Sequence, residues 1–178
     1  VARQHVHLDP EFETFTYGDP TLPKRSLRTL EKGDFLIFYA GLQEWDHDAG
    51  WSSNHPPALY IIGYFVVEMA GMAGDFSKAT LRAKFGQNFH VRYSSVFKVQ
   101  RDQLVLVKGG MGSRLLKTAH RISAEGADRA GKPLKVLSPA MRKLFGDFDG
   151  RISIQRSPPR WIAAAFVEKA VGFVTELR

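Results

Sequence analysis

The sequence predicts an α+β fold: a curved, mostly antiparallel β-sheet or barrel with flanking helices and a helix at the C-terminus. Three observations predict it. Two near-continuous apolar runs, Phe35–Gly41 and Ala58–Glu68, are rich in Ile, Val, Phe and Tyr, which suit a pleated surface. A polar stretch bridges them, too long for a hairpin turn. Helical patterns are interspersed among further strand-like runs and close the chain, instead of alternating strand by strand as in a doubly wound parallel sheet.

Each element follows from local chemistry. His5–Pro10 reads as a short strand ending at Asp9-Pro10, and Phe15–Pro23 as a polar loop punctuated by Gly and Pro. Ser26–Glu31 predicts a short helix with Leu27 and Leu30 turned inward, stopped by Gly33. Gly33-Asp34 supplies the turn into the first apolar strand, because Gly has no Cβ penalty and Asp bonds nearby backbone. Asp75 is a helix N-cap, with Phe76, Ala79, Leu81 and Phe85 as the apolar face and Gly86 as the stop. Asn88–Tyr93 and Val96–Val99 are expected as strands, and Gln103–Val107 as another that ends at Lys108-Gly109-Gly110.

Arg114–Ile122 fits a strand or a short helix, and its pattern does not choose. Asp128–Lys132 is turn-like. Ser138-Pro139 opens a helix to Phe145, with Ser as N-cap and Pro at the first helical position. Arg151–Gln155 reads as a short alternating strand. Pro159 opens a final helix, Arg160–Leu177, with Trp161, Ala165, Val167, Val171 and Val174 toward the core.

At 178 residues with 44% apolar content, the chain is expected to be one domain, residues 1–178. No apolar run reaches the ~18–20 residues that span a bilayer. The N-terminus lacks the basic-then-apolar pattern of a signal peptide. There is no cysteine, which excludes disulfides and thiol chemistry. A cytoplasmic protein with no membrane partner is expected.

The net charge of +7 is unevenly placed. Residues 1–60 carry 5 basic and 9 acidic side chains, residues 61–178 carry 20 and 9. Between Lys78 and Arg121 stand ten cations and one acid, Asp102. Such a basic half suits a polyanion, or serves only as a solvated surface.

Several constellations could carry chemistry. The stretch Gln43–Pro57 holds Trp45, Asp46, His47, Asp48, Trp51, Asn54 and His55. Aromatic planes stack on bases while Asp or Asn reads their edges, so Trp45 and Trp51 are candidate ligand-binding residues. Tyr39, which shares a strand face with Phe35 and Ile37, is another candidate, or simply core, as is Tyr60. His5, His7 and Asp9 share one face of a predicted strand, a spacing that can supply facial metal ligands. The H-x-H element of amidohydrolases needs a far longer barrel, and no metal and no cofactor are expected.

Lys108-Gly109-Gly110-Met111-Gly112-Ser113-Arg114 is Gly-rich and flanked by cations, which suits a phosphate cradle or a plain flexible hairpin. It lacks the P-loop order. Arg114, Lys117 and Arg121 are candidate phosphate contacts. His90 and Arg92 alternate on a predicted strand face and could hold a phosphate or polarise a carbonyl. Arg156, within Gln155–Trp161, is a candidate at an anion site or a structural clamp. No Ser/His/Asp order and no paired-acid pattern is apparent.

Two resemblances add to this reading. His7-Leu8-Asp9-Pro10, Thr16-Tyr17-Gly18-Asp19, Gly33-Asp34 through Gly41-Leu42, Tyr60 through Phe65, Ser113-Arg114-Leu115-Leu116-Lys117 and Ile154-Gln155-Arg156-Ser157 resemble the third nucleotide-modification-associated domain family. That group is bacterial, archaeal and phage, and is predicted to act where modified bases are made or handled. Residues 26–68 are also similar to the opening of PUA-like barrels, the EVE, YTH and ASCH families among them. This implies a PUA-like core of about 26–123, a C-terminal extension of about 138–178, and a base pocket near the first two strands. The three-aromatic cage of the YTH readers is not found at matching positions.

The sequence thus supports a nucleic-acid or modified-base binding domain, with DNA, RNA or a nucleotide as partner. Its basic half would hold phosphate, and Tyr17 and the aromatic stretch would line the base pocket. The alternative is an enzyme of nucleotide or base modification, with Asp9, Asp19, His90 and Arg92 near the chemistry. A third reading is an interaction module that meets an acidic protein.

Overall fold

The computed structural model of the chain describes residues 9–52, 54–154 and 158–178. The fold is α+β, with a curled antiparallel main sheet and a C-terminal helix. Two compact units divide it. One takes in the chain up to Leu36 together with Tyr64–Arg114; the other is Ile37–Gly63 with Leu115–Arg178.

In the first unit, β1 (Thr16–Asp19) pairs antiparallel with β6 (Val105–Gly109), which pairs with β5 (Ala58–Met72). β2 (Phe35–Leu42) follows on the other side of β5, giving the order β1-β6-β5-β2. β2 and β5 are the two apolar runs, adjacent as their pattern predicts. Gly33, at φ +98°, makes the turn before β2, and its N–H reaches the Val67 carbonyl at 2.9 Å. β1 stands where a polar loop is expected. Thr-Tyr-Gly-Asp has no apolar run to announce a strand, and β6 supplies the ladder that its backbone needs.

Helices α1 (Lys78–Phe85), α2 (Phe89–Arg92) and α3 (Ser94–Gln100) connect β5 to β6. Ser77, not Asp75, caps α1, its hydroxyl accepting the Thr80 N–H at 3.0 Å; Asp75 ends a short 3-10 turn. The strands expected at Asn88–Tyr93 and Val96–Val99 are helices instead. Their β-branched and aromatic residues fit a strand locally, but Val91 and Phe97 pack on the cluster of Ala73, Leu81, Phe85, Leu104 and Leu106. Tertiary burial outweighs propensities that differ by under ~1 kcal/mol. The predicted helix at Ser26–Glu31 is a 3-10 helix, Leu22–Thr29, with Leu27 and Leu30 buried as expected.

In the second unit, the stretch after β2 is not a plain loop. It folds into a small hairpin, β3 (Trp45–Asp46) and β4 (Gly50–Trp51). Arg114–Ile122, left open by its pattern, forms strand β7 (Arg114–Arg121), paired with β5. β8 (Ser123–Ala127) and β9 (Pro133–Leu137) form a hairpin closed through the Asp128–Lys132 turn. α4 (Pro139–Phe145) starts as predicted, with the Ser138 hydroxyl accepting the Met141 N–H at 3.3 Å.

Of the predicted strand at Arg151–Gln155, the described residues show a single bridge, Val136 to Ser153. The last helix, α5 (Ala164–Glu176), begins later than Pro159 suggests. Its buried residues are Ala170 and Val174; Trp161, which precedes the helix, and Ala165 and Val167 are exposed, because the inward stripe runs through Phe166, Ala170, Phe173 and Val174 instead.

Candidate functional site

The first unit gathers polar side chains at the outer edge of β1. Glu11 and Thr16 exchange backbone hydrogen bonds of 2.9 and 3.1 Å, an antiparallel bridge at this edge. Two residues further back, Asp9 lies opposite Gly18 and accepts its N–H. Tyr17 and Asp19 share a strand face by period two. The buried Tyr17 hydroxyl donates to Asp19 Oδ2 at 3.0 Å. Asp19 Oδ1 accepts the Thr21 N–H at 2.7 Å and its hydroxyl at 2.5 Å. Lys24, in the 3-10 helix that follows, is half-buried beside both carboxyls.

This crowding changes proton affinities. Asp9 is exposed as a residue, yet its carboxyl is pushed up to about 7. Desolvation is the main cause, the neighbouring Asp19 charge the next; the Gly18 N–H and Lys24 oppose it. Burial raises the Tyr17 phenol, helped by the Asp9 and Asp19 charges. Burial lowers the Lys24 ammonium, against the pull of Asp19 and Asp9. The Asp9 carboxyl is therefore shifted toward neutral pH beside other oxygen atoms that accept or donate.

On the other face of β1 stands His90. A Cβ built on Gly18 would lie 2.9 Å from His90 Cδ2 and 3.0 Å from Asn88 Oδ1. His90 is buried, and its Nδ1 donates to Gln100 Oε1 at 2.6 Å. Asn88 caps α2 through the His90 N–H and donates to Thr16 Oγ1 at 3.2 Å. Glu11 accepts the Phe89 N–H at 2.5 Å, tying α2 to the β1 edge. Asp9 is thus brought to Tyr17 and Asp19, while His90 packs on the opposite face of β1.

Arg92 is not part of this group. Positions i and i+2 diverge on a helix, so Arg92 points outward while His90 is buried. It lies 4.9 Å from the Tyr93 ring centroid and donates to the Tyr93 hydroxyl at 2.9 Å. Three amides of the Gly-rich turn are already bonded to carbonyls. Gly109, Gly110 and Ser113 give their N–H groups to Phe15, Val66 and Gly110 carbonyls. Arg114 is exposed at the start of β7.

The other candidates belong to the second unit. Tyr39 is half-buried, and its phenol is raised by burial and lowered somewhat by Arg160. Trp45 and Trp51 are cross-strand partners, exposed and edge to face with centroids 4.7 Å apart. Lys117 and Arg121 are exposed on β7, on the face opposite to Arg114 by alternation. Arg156 lies outside the described residues.

Lys24, Asn88 and Gln100 escaped the sequence reading. Asn88, after Gly86-Gln87, carried a usable signal: Asn favours helix N-caps. Nothing local marks Lys24 or Gln100, whose roles arise from chain folding.

Among the described residues no group of three or more His, Asp or Glu is placed to hold a metal ion, and no helix is long and apolar enough to cross a membrane. The sequence model described as nucleotide modification associated domain 3 matches residues 1–176. No curated protein and no solved structure matches the chain.

Proposed function

Because this chain belongs to the nucleotide modification associated domain 3 family, we propose that it binds a nucleotide, free or within DNA or RNA, and reads the base at the Asp9–Tyr17–Asp19 cluster. The observation that carries this is the convergence of two carboxyls and a buried phenol at β1. Base edges offer adjacent donors and acceptors. A carboxyl that holds its proton near neutral pH can both donate to and accept from such an edge. On this reading the curled sheet is a PUA-like frame for the pocket.

The test is titration with a panel of modified and unmodified nucleoside monophosphates. Asp19→Asn and Tyr17→Phe are each expected to weaken the preferred ligand about tenfold with the fold intact. If no member of the panel binds, or neither substitution changes affinity, the reading fails.

A second reading is catalysis on the same ligand. Its support is Asp9, whose carboxyl at about 7 suits a general acid or base working near neutral pH. Mass spectrometry of nucleotides incubated with the chain would reveal turnover, which Asp9→Asn should abolish. Unchanged nucleotides across the panel leave the binding reading alone.

A further inference from the structure

Helix α4 of the second unit carries two cations on one stripe. Pro139, Arg142, Lys143 and Gly146 stand at i, i+3, i+4 and i+7, so they share one side of the helix. Met141 and Phe145, on another side, are buried, and Phe145 meets Phe173 of α5 edge to face at 5.9 Å. The Pro139–Gly146 stripe is left to line an open groove of about 440 Å³, together with Asp147 and Phe166 of α5.

Gly146 lets the two helices come this close. It ends α4 at φ +77°, and a Cβ there would lie 3.0 Å from Phe166 Cδ2 and 3.1 Å from Cε2. Those two atoms form one edge of the ring, so Gly146 meets Phe166 at an edge. The ring is half-buried, and among the described residues no other ring or cation stacks on it. Arg142 and Lys143 are exposed, and among the described residues neither is paired with a carboxylate. Two cations match the charge of a phosphate monoester, and a guanidinium can hold phosphate oxygens through two parallel hydrogen bonds. An aromatic ring in the same groove offers a surface for a base, and the groove has the volume of a small-molecule site.

We propose that the α4–α5 groove binds a nucleoside monophosphate, with the phosphate at Arg142 and Lys143 and the base against Phe166. Asp147 then accepts from hydroxyl or amino groups of the ligand. This site is independent of the β1 cluster, whose residues belong to the first unit. An acidic peptide would use the two cations and leave Phe166 without a role.

Titrations of the Asp19→Asn chain, in which the base-reading cluster is weakened, test it. The probes are adenosine and guanosine monophosphates, the two nucleosides and inorganic phosphate. Binding is followed by NMR at the Gly146 amide, which is bonded to the Arg142 carbonyl at 3.0 Å and so reports on the groove. A monophosphate is expected to shift this resonance and to bind roughly tenfold more tightly than its nucleoside or than phosphate. Arg142→Gln with Lys143→Gln should weaken the monophosphate roughly tenfold and leave the nucleoside unchanged. Phe166→Leu should bring the monophosphate down to the affinity of inorganic phosphate. Circular dichroism verifies folding, and if Phe166→Leu does not fold, the exposed charge pair decides by itself.

A Gly146 resonance that neither monophosphate moves, or a monophosphate affinity indifferent to the charge pair, overturns the proposal. So does inorganic phosphate that binds as tightly as the monophosphate, which would leave only the two cations at work. Polyglutamate that competes as well as the monophosphate overturns it too, and makes the groove an acidic-peptide site. None of these outcomes bears on base reading at β1, which Asp19→Asn and Tyr17→Phe decide against the wild-type chain.

Discussion

His90 fills the space that a side chain at residue 18 would need: a Cβ on Gly18 would stand 2.9 Å from His90 Cδ2. Gly18 is thus the contact through which α2 closes on β1. On its strand edge the same residue gives its N–H to Asp9. One glycine fixes the imidazole on one side and the carboxyl on the other.

Gly18→Ala is therefore expected to destabilise the chain by about 1–3 kcal/mol, the usual cost of overpacking a filled site. Urea unfolding followed by circular dichroism measures this. The His90 ring resonances should also shift, since the added methyl must displace either His90 or the Leu106 side chain, 3.2 Å away. An unchanged midpoint would mean that β1 and α2 do not pack this closely.

Asp9 predicts a pH dependence whose sign is opposite to that of an ordinary salt-bridged acid. Its carboxyl stands at about 7 in the folded chain against an ordinary value of 3.8. Between these two the folded state holds a proton that the unfolded state has released. Its contribution to stability is present below about 4, declines as pH rises, and is gone above about 7. Thermal melts from pH 4 to 8 should show wild type losing stability relative to Asp9→Asn across that window. Parallel curves for the two proteins would place the Asp9 carboxyl in ordinary solvent.

The Trp45–Trp51 pair is held by Asp46, whose Oδ1 accepts the Asp48 and Ala49 N–H groups at 2.9 and 2.8 Å. These bonds keep the Asp46 carboxyl below its usual range. With Glu44 and Asp48 beside it, the tip repels phosphate and suits the uncharged face of a ring. As a further, stacking site besides the one proposed at β1, the hairpin tip is expected to let nucleosides quench the tryptophan fluorescence to the same extent at low and high salt. Trp51→Ala should remove about 1–3 kcal/mol of that binding and only about 0.2–1 kcal/mol of stability, as for other cross-strand pairs. A quench that disappears with added salt would point to an electrostatic contact elsewhere.

Ser138→Ala tests the cap of α4. Removing the hydroxyl that accepts the Met141 N–H should cost about 0.5–2 kcal/mol, read from the denaturation midpoint. Ser138→Asp, which caps equally well, should restore most of it.

The sequence by itself determined the sheet-forming runs at β2 and β5, the turn at Gly33, the capped start of α4 and the α+β class. Each is written in a local pattern: apolar β-branched residues, a glycine at positive φ, or Ser before Pro. The same local reading located Asp9, Tyr17 and Asp19 as chemically interesting, without bringing Asp9 to the other two. Only the tertiary structure decided that. β1 has a polar sequence and becomes a strand because β6 offers hydrogen bonds to its backbone. Asn88–Tyr93 favours a strand by composition and becomes a helix because Val91 gains burial against the Leu81 and Phe85 cluster. These two reversals turn His90 inward toward Gly18 and Arg92 outward, since alternation on a strand and rotation on a helix send residues i and i+2 in different directions. The candidate site is a product of long-range pairing and burial, which local propensity is too weak to specify.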